Sequence, residues 1–428
     1  MSSTTVLRGG HVLDPAGGTW LDADVRMEGT TIAAIGPDLA VHDRAEAETR
    51  VLDVTGRYLM PGLIDGHVHV TAFSAELRDL EETAGSYVTA HAARTMRDML
   101  GRGFTSVRDM GGADHGLARA QREGLLPGPR LFYCGHALSQ TGGHGDMRLP
   151  GDRRSPEGDG PGISAGISTG ISTGISTVAD GVDAVRRAAR EELRRGADHI
   201  KIMASGGVAS PTDRIDSTQF SIAEITAAVA EAAAANRYVG AHAYTARAIN
   251  RALRAGVRSI EHGNLLDAES LTLLRTRDAF LVPTLVTYWA LQREGREHGL
   301  SATSWAKVEA VLDRGLAAVG LAQEASVRIV FGSDLLGGMH RYQNEEFRLR
   351  AQVQPVIDVI RSATTTAAEL LGRSGTLGVL APGATADLLV LDADPLADVA
   401  VLADIGDHLK AVLQDGVVVH GDLGPARR

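Results

Sequence analysis

The chain of 428 residues is poor in cysteine and in lysine. Cys134 is its single cysteine, and Lys201, Lys307 and Lys410 are its three lysines; the other 40 of its 43 basic residues are arginine. One cysteine excludes a disulfide framework and a thiolate-rich metal site. Any bound metal must therefore be held by histidine, carboxylate or something rarer. Cys134 has no visible base partner in the sequence and reads as a buried apolar residue. No run of roughly 18 apolar residues is present, so no membrane span is expected. The opening MSSTTVLRGGHVLDPAGG lacks a basic n-region and an apolar h-region. It is therefore not expected to be a signal peptide, and a cytoplasmic protein is the default. Positive charge is in deficit, with 43 basic against 53 acidic residues and a net charge of −10. That balance argues against nucleic acid and anionic membrane as partners. The hydrophobic fraction of 44% excludes a disordered chain. The arginine bias, among many alanines and glycines, reads as genome composition.

The ends of the chain resemble each other. Residues 1–60 hold short strand patterns (VLRGGHVLD, WLDADVRMEG, TIAAIGP) punctuated by Gly-Gly and Gly-Pro. Residues 375–428 hold ADLLVLDADP and LKAVLQDGVVVHG, whose Asp415-Gly416 is a hairpin signal. The two ends are expected to form one composite β domain, a small β-sandwich. Between them, residues 61–374 alternate strand and helix patterns. Eight β-rich runs occupy 63–70, 104–110, 130–135, 199–205, 239–244, 259–264, 280–286 and 328–334, and 181–196 and 221–237 have helical apolar spacing. Eight strands alternating with helices fit an α/β fold of the (β/α)8, TIM-like barrel type. Residues 150–177 are Pro-, Gly- and charge-rich and end in the repeat GISAGISTGISTGIST. They read as a flexible insertion after the third strand, with a lid over the strand ends as the alternative.

His67 and His69 lie two apart in LIDGHVHV and so share a strand face. His242 (GAHAY), His262 (IEHGN) and Asp334 (FGSD) fall near the C-terminal ends of three further runs, where such barrels place their active sites. Lys201 sits in the apolar strand HIKIMAS. A buried lysine is costly unless its charge is paired or removed. It either pairs with a carboxylate or snorkels outward, or its neutral amine takes up CO2 and becomes an anionic carbamate. The carbamate would help offset two divalent cations, for which Asp334 is the other anion in view.

His67-x-His69, Lys201, His242, His262 and Asp334, with the phrases YLMPGLIDGHVH, GADHIKIMASGGV, SIEHG and GTLGVLAPGATADLLVLD, resemble the metal-ligand set of the amidohydrolase superfamily. The branch resembled holds imidazolonepropionase, Xaa-Pro dipeptidases and ochratoxinase, and the likeness spans the chain outside residues 150–177. It implies a hydrolase with two divalent metal ions, typically zinc. His67, His69, the Lys201 carbamate and Asp334 would hold one ion. His242 and His262 would hold the other, with the carbamate bridging. Asp334 is implied as the catalytic base and acid around a metal-bridging hydroxide. His144, in SQTGGHGD, and Tyr244 are implied substrate contacts that bind by hydrogen bonding. Arg108 and Asp109 read as a structural ion pair or as substrate contacts. Thr284, Thr287 and Tyr288 are possible pocket residues. The substrate expected is a small N-acyl amino acid or dipeptide, Xaa-Pro or ochratoxin-like, and a homo-oligomer is expected by analogy. The competing readings are a cyclic amide hydrolase of imidazolonepropionase type and a non-catalytic scaffold. The scaffold predicts missing ligands, whereas all six are present.

Overall fold

The first strand, β1 (Thr4–Asp14), uses both of its edges. On one edge it pairs antiparallel with β2 (Thr19–Glu28), and β2 pairs with β3 (Thr31–Gly36). On the other edge it pairs parallel with two strands in succession, β4 (Thr49–Asp53) along its first half and β5 (Tyr58–Pro61) along its second. The computed structural model describes residues 4–39, 49–152, 172–210 and 213–423.

A single residue, Gly62, separates β5 from β6 (Leu63–Val68), the first of the parallel strands. A side chain there is excluded: an added Cβ would lie 2.2 Å from Thr105 Oγ1. β6 pairs with β7 (Phe104–Asp109), which pairs with β8 (Arg130–Tyr133). A second sheet contains β9 (Ala137–Ser139), β10 (Ser172–Thr173), β11 (Ser176–Val178), β12 (Ile200–Met203), β13 (Val239–Thr245), β14 (Ser259–Leu265), β15 (Phe280–Val282) and β16 (Arg328–Ile329), in the order β10-β11-β9-β12-β13-β14-β15-β16. Hydrogen bonds cross both seams between the sheets. Gly66 N donates to Phe331 O (2.7 Å) and Asp334 N to His67 O (2.8 Å) beyond the end of β16, while Asp198 N donates to Tyr133 O (2.8 Å) ahead of β12.

Each of the eight expected runs overlaps one of β6, β7, β8 and β12–β16. Helices cover Val182–Arg194 and Ile222–Ala234, and the second starts at a capping box between Ser221 and Glu224. The run 280–286 needs correction. It is a strand only to Val282, and a helix begins at Leu285. Pro283 has no N–H for a ladder and Thr284 is left-handed (φ 51°), so the apolar residues after them turn into the helix. The run 328–334 is laddered only to Ile329. Of the expected insertion at 150–177, residues 153–171 lie outside the described residues, while 172–177 are described. β10 and β11 form a hairpin, and β11 lies parallel to β9.

The chain returns to the first sheet through β17 (Leu388–Leu391), antiparallel to β5, followed by β18 (Leu409–Gln414) and β19 (Val417–Gly421). Both ends therefore share one mixed eight-stranded sheet. Asp415 and Gly416 turn between β18 and β19 at φ 51° and 77°, the positive-φ pair that a two-residue hairpin requires. One apolar cluster joins the two ends, with Leu7, Val25, Met27 and Leu59 against Leu388, Val390 and Leu413.

Candidate metal-binding active site

His67, His69, Lys201, His242, His262 and Asp334 line one cleft at the C-terminal ends of the parallel strands. One nitrogen of each imidazole is held by the protein. His67 Nδ1 lies 2.9 Å from Glu261 Oε2, His69 Nδ1 2.8 Å from Gly111 O, His242 Nε2 3.0 Å from Gly206 O, and His262 Nδ1 2.8 Å from Thr284 Oγ1. The opposite nitrogens are left for a ligand. Such fixing of one ring nitrogen, which sets the tautomer and orients the other, is the usual arrangement behind metal-binding histidines. Asp334 Oδ1 lies 3.3 Å from both His67 Nε2 and His69 Nε2, and ligand atoms of these three residues all fall within 4.8 Å of one another. The rings of His242 and His262 stand next to each other, with centroids 4.7 Å apart.

The donor set fits divalent metal. His67 Nε2 is buried with no hydrogen-bond partner, an expensive state for a polar atom that a cation would relieve. Lys201 is 2% exposed, and no carboxylate among the described residues lies within ion-pair distance of its ammonium. Lys201 thus shows neither an ion pair with a carboxylate among the described residues nor an ammonium turned outward. Burial lowers its pKa, against the pull of Glu261 and Asp334, and so favours the neutral amine. Burial alone would raise the Asp334 carboxyl, but the neighbouring His67, His69 and His262 imidazoles hold it well below the carboxylate range.

Behind the histidines runs a buried chain of polar groups. Arg108 NH2 grips both oxygens of Glu261 (2.9 and 2.8 Å) and its NH1 donates to Ser259 Oγ (3.0 Å). The expected pairing of Arg108 with Asp109 is corrected, as is substrate contact by either. Asp109 accepts the backbone N–H groups of Val70, Gly111 and Ala113. Asp65 likewise accepts from Ser333 Oγ (2.6 Å) and Gln343 Nε2 (2.8 Å). The backbone is strained at the cleft: His262, Thr284 and Asp334 all have positive φ (74°, 51° and 50°), costly for non-glycine residues and typical of functional sites. Cys134 is buried, as expected, and burial keeps it a thiol.

His144 and Tyr244 are brought to the same cleft. The His144 ring stacks on that of His242 (centroids 4.2 Å apart), and burial pushes its pKa down to about 4, so it is neutral near pH 7. Its Nδ1 lies 2.8 Å from Ser210 Oγ. Ser210 donates to Asp213, and Lys307 clamps the segment through Gly207 O (3.0 Å) and Ser210 O (2.9 Å). Tyr288 Oη donates to Tyr244 Oη (3.0 Å), leaving the Tyr244 hydroxyl proton for another acceptor. Thr287 and Tyr288 line the cleft, while Thr284 serves His262. The remaining wall is apolar, with Leu77, Met147, Val208, Leu291 and Leu336, and includes Ile175 from the repeat.

Sequence reasoning missed Glu261, Asp65 and Ile175. Glu261 is adjacent to His262, and strand alternation would send the two to opposite faces. The positive φ at His262 breaks that alternation, so both reach His67. A charged residue inside the apolar strand SIEHG was the available signal.

The model of the Amidohydrolase family matches residues 58–423. Ochratoxinase of Aspergillus niger is 34% identical over 353 residues, 81% of this chain and 72% of that protein. A crystal structure of a prolidase complexed with N-methylphosphonate-L-proline is 48% identical, with a TM-score of 0.92 over 98% of this chain and 100% of that one. A crystal structure of an amidohydrolase is 45% identical, with a TM-score of 0.93 over 99% of this chain and 100% of that one.

Proposed function

Because the chain belongs to the amidohydrolase family and is a hydrolase of amide bonds, we propose that it cleaves an N-acyl amino acid or a dipeptide. An Xaa-Pro dipeptide or an ochratoxin-type amide is the substrate class. The observation that carries this reading is the division of labour on the four imidazoles, each with one nitrogen fixed and the other turned to a shared cleft. The solved neighbours imply a TIM barrel. We propose a closed (β/α)8 barrel over residues 61–374, with a β-sandwich from residues 1–60 and 375–428.

In this reading His67, His69 and Asp334 would hold one divalent ion and His242 and His262 a second, and a carbamate on Lys201 would supply a further anionic donor. The neutral Lys201 amine attacks the carbon of CO2, forms the N–C bond and releases a proton, which leaves a carboxylate-like anion. When bound, the ions, zinc by the nitrogen and oxygen donor set, supply a water acidified to near-neutral pH and a Lewis acid for the substrate carbonyl. Asp334 is ionised beforehand and so is ready to accept a proton. Oδ1 faces the rings of His67 and His69, so the proton is taken at Oδ2 and passed to the leaving nitrogen. Tyr244 donates its free hydroxyl proton to a substrate oxygen, and His144 makes a second polar contact beside it. The apolar wall excludes water and receives the acyl side chain.

The test is turnover by zinc-loaded enzyme of N-acyl amino acids, Xaa-Pro dipeptides and aryl amides, together with metal analysis. Cleavage of at least one class and about two ions per chain are expected. No turnover, or a reproducible single ion, overturns the reading. We also propose a cytoplasmic homo-oligomer, tested by its size in solution. No helix among the described residues is long and apolar enough to cross a membrane.

A further inference from the structure

The end of the strand array opposite the metal-ligand end is rich in arginine. Asp198, Tyr238 and Arg258 sit just ahead of β12, β13 and β14, so they lie at the far ends of those strands from Lys201, His242 and His262. With Phe132, Arg237 and Arg373 they line a cavity of about 360 Å³, within the size range of small-molecule sites.

Two of its three arginines are mounted on aromatic rings. The Arg258 guanidinium lies 5.2 Å from the centroid of Phe280 and 6.0 Å from that of Tyr238, and the Arg373 guanidinium lies 5.6 Å from that of Phe132. A cation–π contact consumes none of a guanidinium's N–H donors in hydrogen bonds, and so leaves the fork that matches carboxylate and phosphate oxygens. Among the described residues neither Arg258 nor Arg373 has a carboxylate at ion-pair distance, whereas Arg237 lies 3.8 Å from Asp198. By contrast, Arg130 pairs with Asp387 (2.7 Å) and Arg108 with Glu261 (2.8 Å). In a chain of net charge −10, a cavity with three arginines and one aspartate stands out as locally cationic.

We propose that this cavity binds a compact oxyanion of two negative charges, of the phosphate or small-dicarboxylate kind. Arg258 and Arg373 supply the donors, and Asp198 holds Arg237 at the rim. The site is separate from the amide-cleaving centre and does not depend on which amide is cleaved.

The metal-loaded enzyme is titrated with inorganic phosphate and, separately, with succinate, at constant ionic strength held by sodium chloride. Binding is read by calorimetry and by the shift in Tm. A saturable rise in Tm that chloride does not reproduce is expected for at least one probe, and which probe binds identifies the anion class. Arg258→Gln and Arg373→Gln should each weaken binding about tenfold or more, and Asp198→Asn should tighten it. Arg373 is exposed, so its variant reports even if Arg258→Gln folds poorly. Phosphate bound equally well by Arg373→Gln and by the double variant would place the anion on the metal centre and overturn the proposal. Absence of a saturable response to both probes would overturn it too.

Discussion

His67 and Glu261 meet at 2.9 Å with both side chains wholly enclosed, and the pair links β6 to β14. Glu261 accepts the Nδ1 proton of His67, so the lone pair stays on Nε2, where the cleft is. Arg108 balances the carboxylate from behind. Glu261→Gln should cut metal affinity by about 10–100-fold. It also leaves Arg108 buried without its counter-charge, at a cost on the order of 3–5 kcal/mol. Metal retention against a chelator and the Tm check the two effects. Unchanged metal retention would show that the contact does not tune His67.

Lys201→Ala should abolish activity and lower metal content, and short carboxylates such as formate should restore part of both. Lys201→Arg separates charge from carbamate. Arginine stays protonated and cannot take up CO2, so that variant should be inactive as well. Full activity in Lys201→Arg would sink the carbamate.

Under the proposed function Tyr244→Phe should remove one hydrogen bond to the substrate and lower kcat/KM roughly tenfold. Ser210→Ala removes the partner of His144 Nδ1. It should raise KM in the same direction as His144→Ala, by less, with metal content unchanged. Loss of metal in Ser210→Ala would instead mean that the His144 loop supports His242 directly.

Glu346 gives a pH test of stability. It is fully buried, its Oε2 accepts Val286 N (2.7 Å), and burial pushes its pKa up to about 8 in spite of Arg350 nearby. A carboxyl whose pKa is raised by folding stabilises the native state fully below the ordinary glutamate range. That stability is lost as pH climbs through about 8. Glu346→Gln keeps an acceptor for Val286 without the proton to lose. Between about pH 6 and 9 the wild-type Tm should therefore fall more than that of the variant. Parallel curves would show that Glu346 is not protonated in the fold.

Much of this was legible in the sequence because strand parity and strand ends are local properties. His67 and His69 two apart, and His242, His262 and Asp334 closing their runs, sit where those rules send them. The rest depends on departures from the rules. Glu261 needed the left-handed turn at His262. The run 280–286 ended early because Pro283 and Thr284 break the ladder. Ile175 lies in a low-complexity repeat, and only its pairing neighbours, with Ala137 N donating to Ile175 O (2.9 Å), make it part of the wall.

The one-residue join at Gly62 has a consequence for how the protein is made. β5 is held between β1 and β17, and it runs straight into the strand that carries His67 and His69. β17–β19 follow every residue of the candidate site in chain order. Until they are made, β5 has an open edge and the strand of His67 and His69 has an unfinished support. Under the proposed function, metal capture should therefore wait for β17–β19, and chains truncated before β17 should fail to load metal even though they contain every proposed ligand.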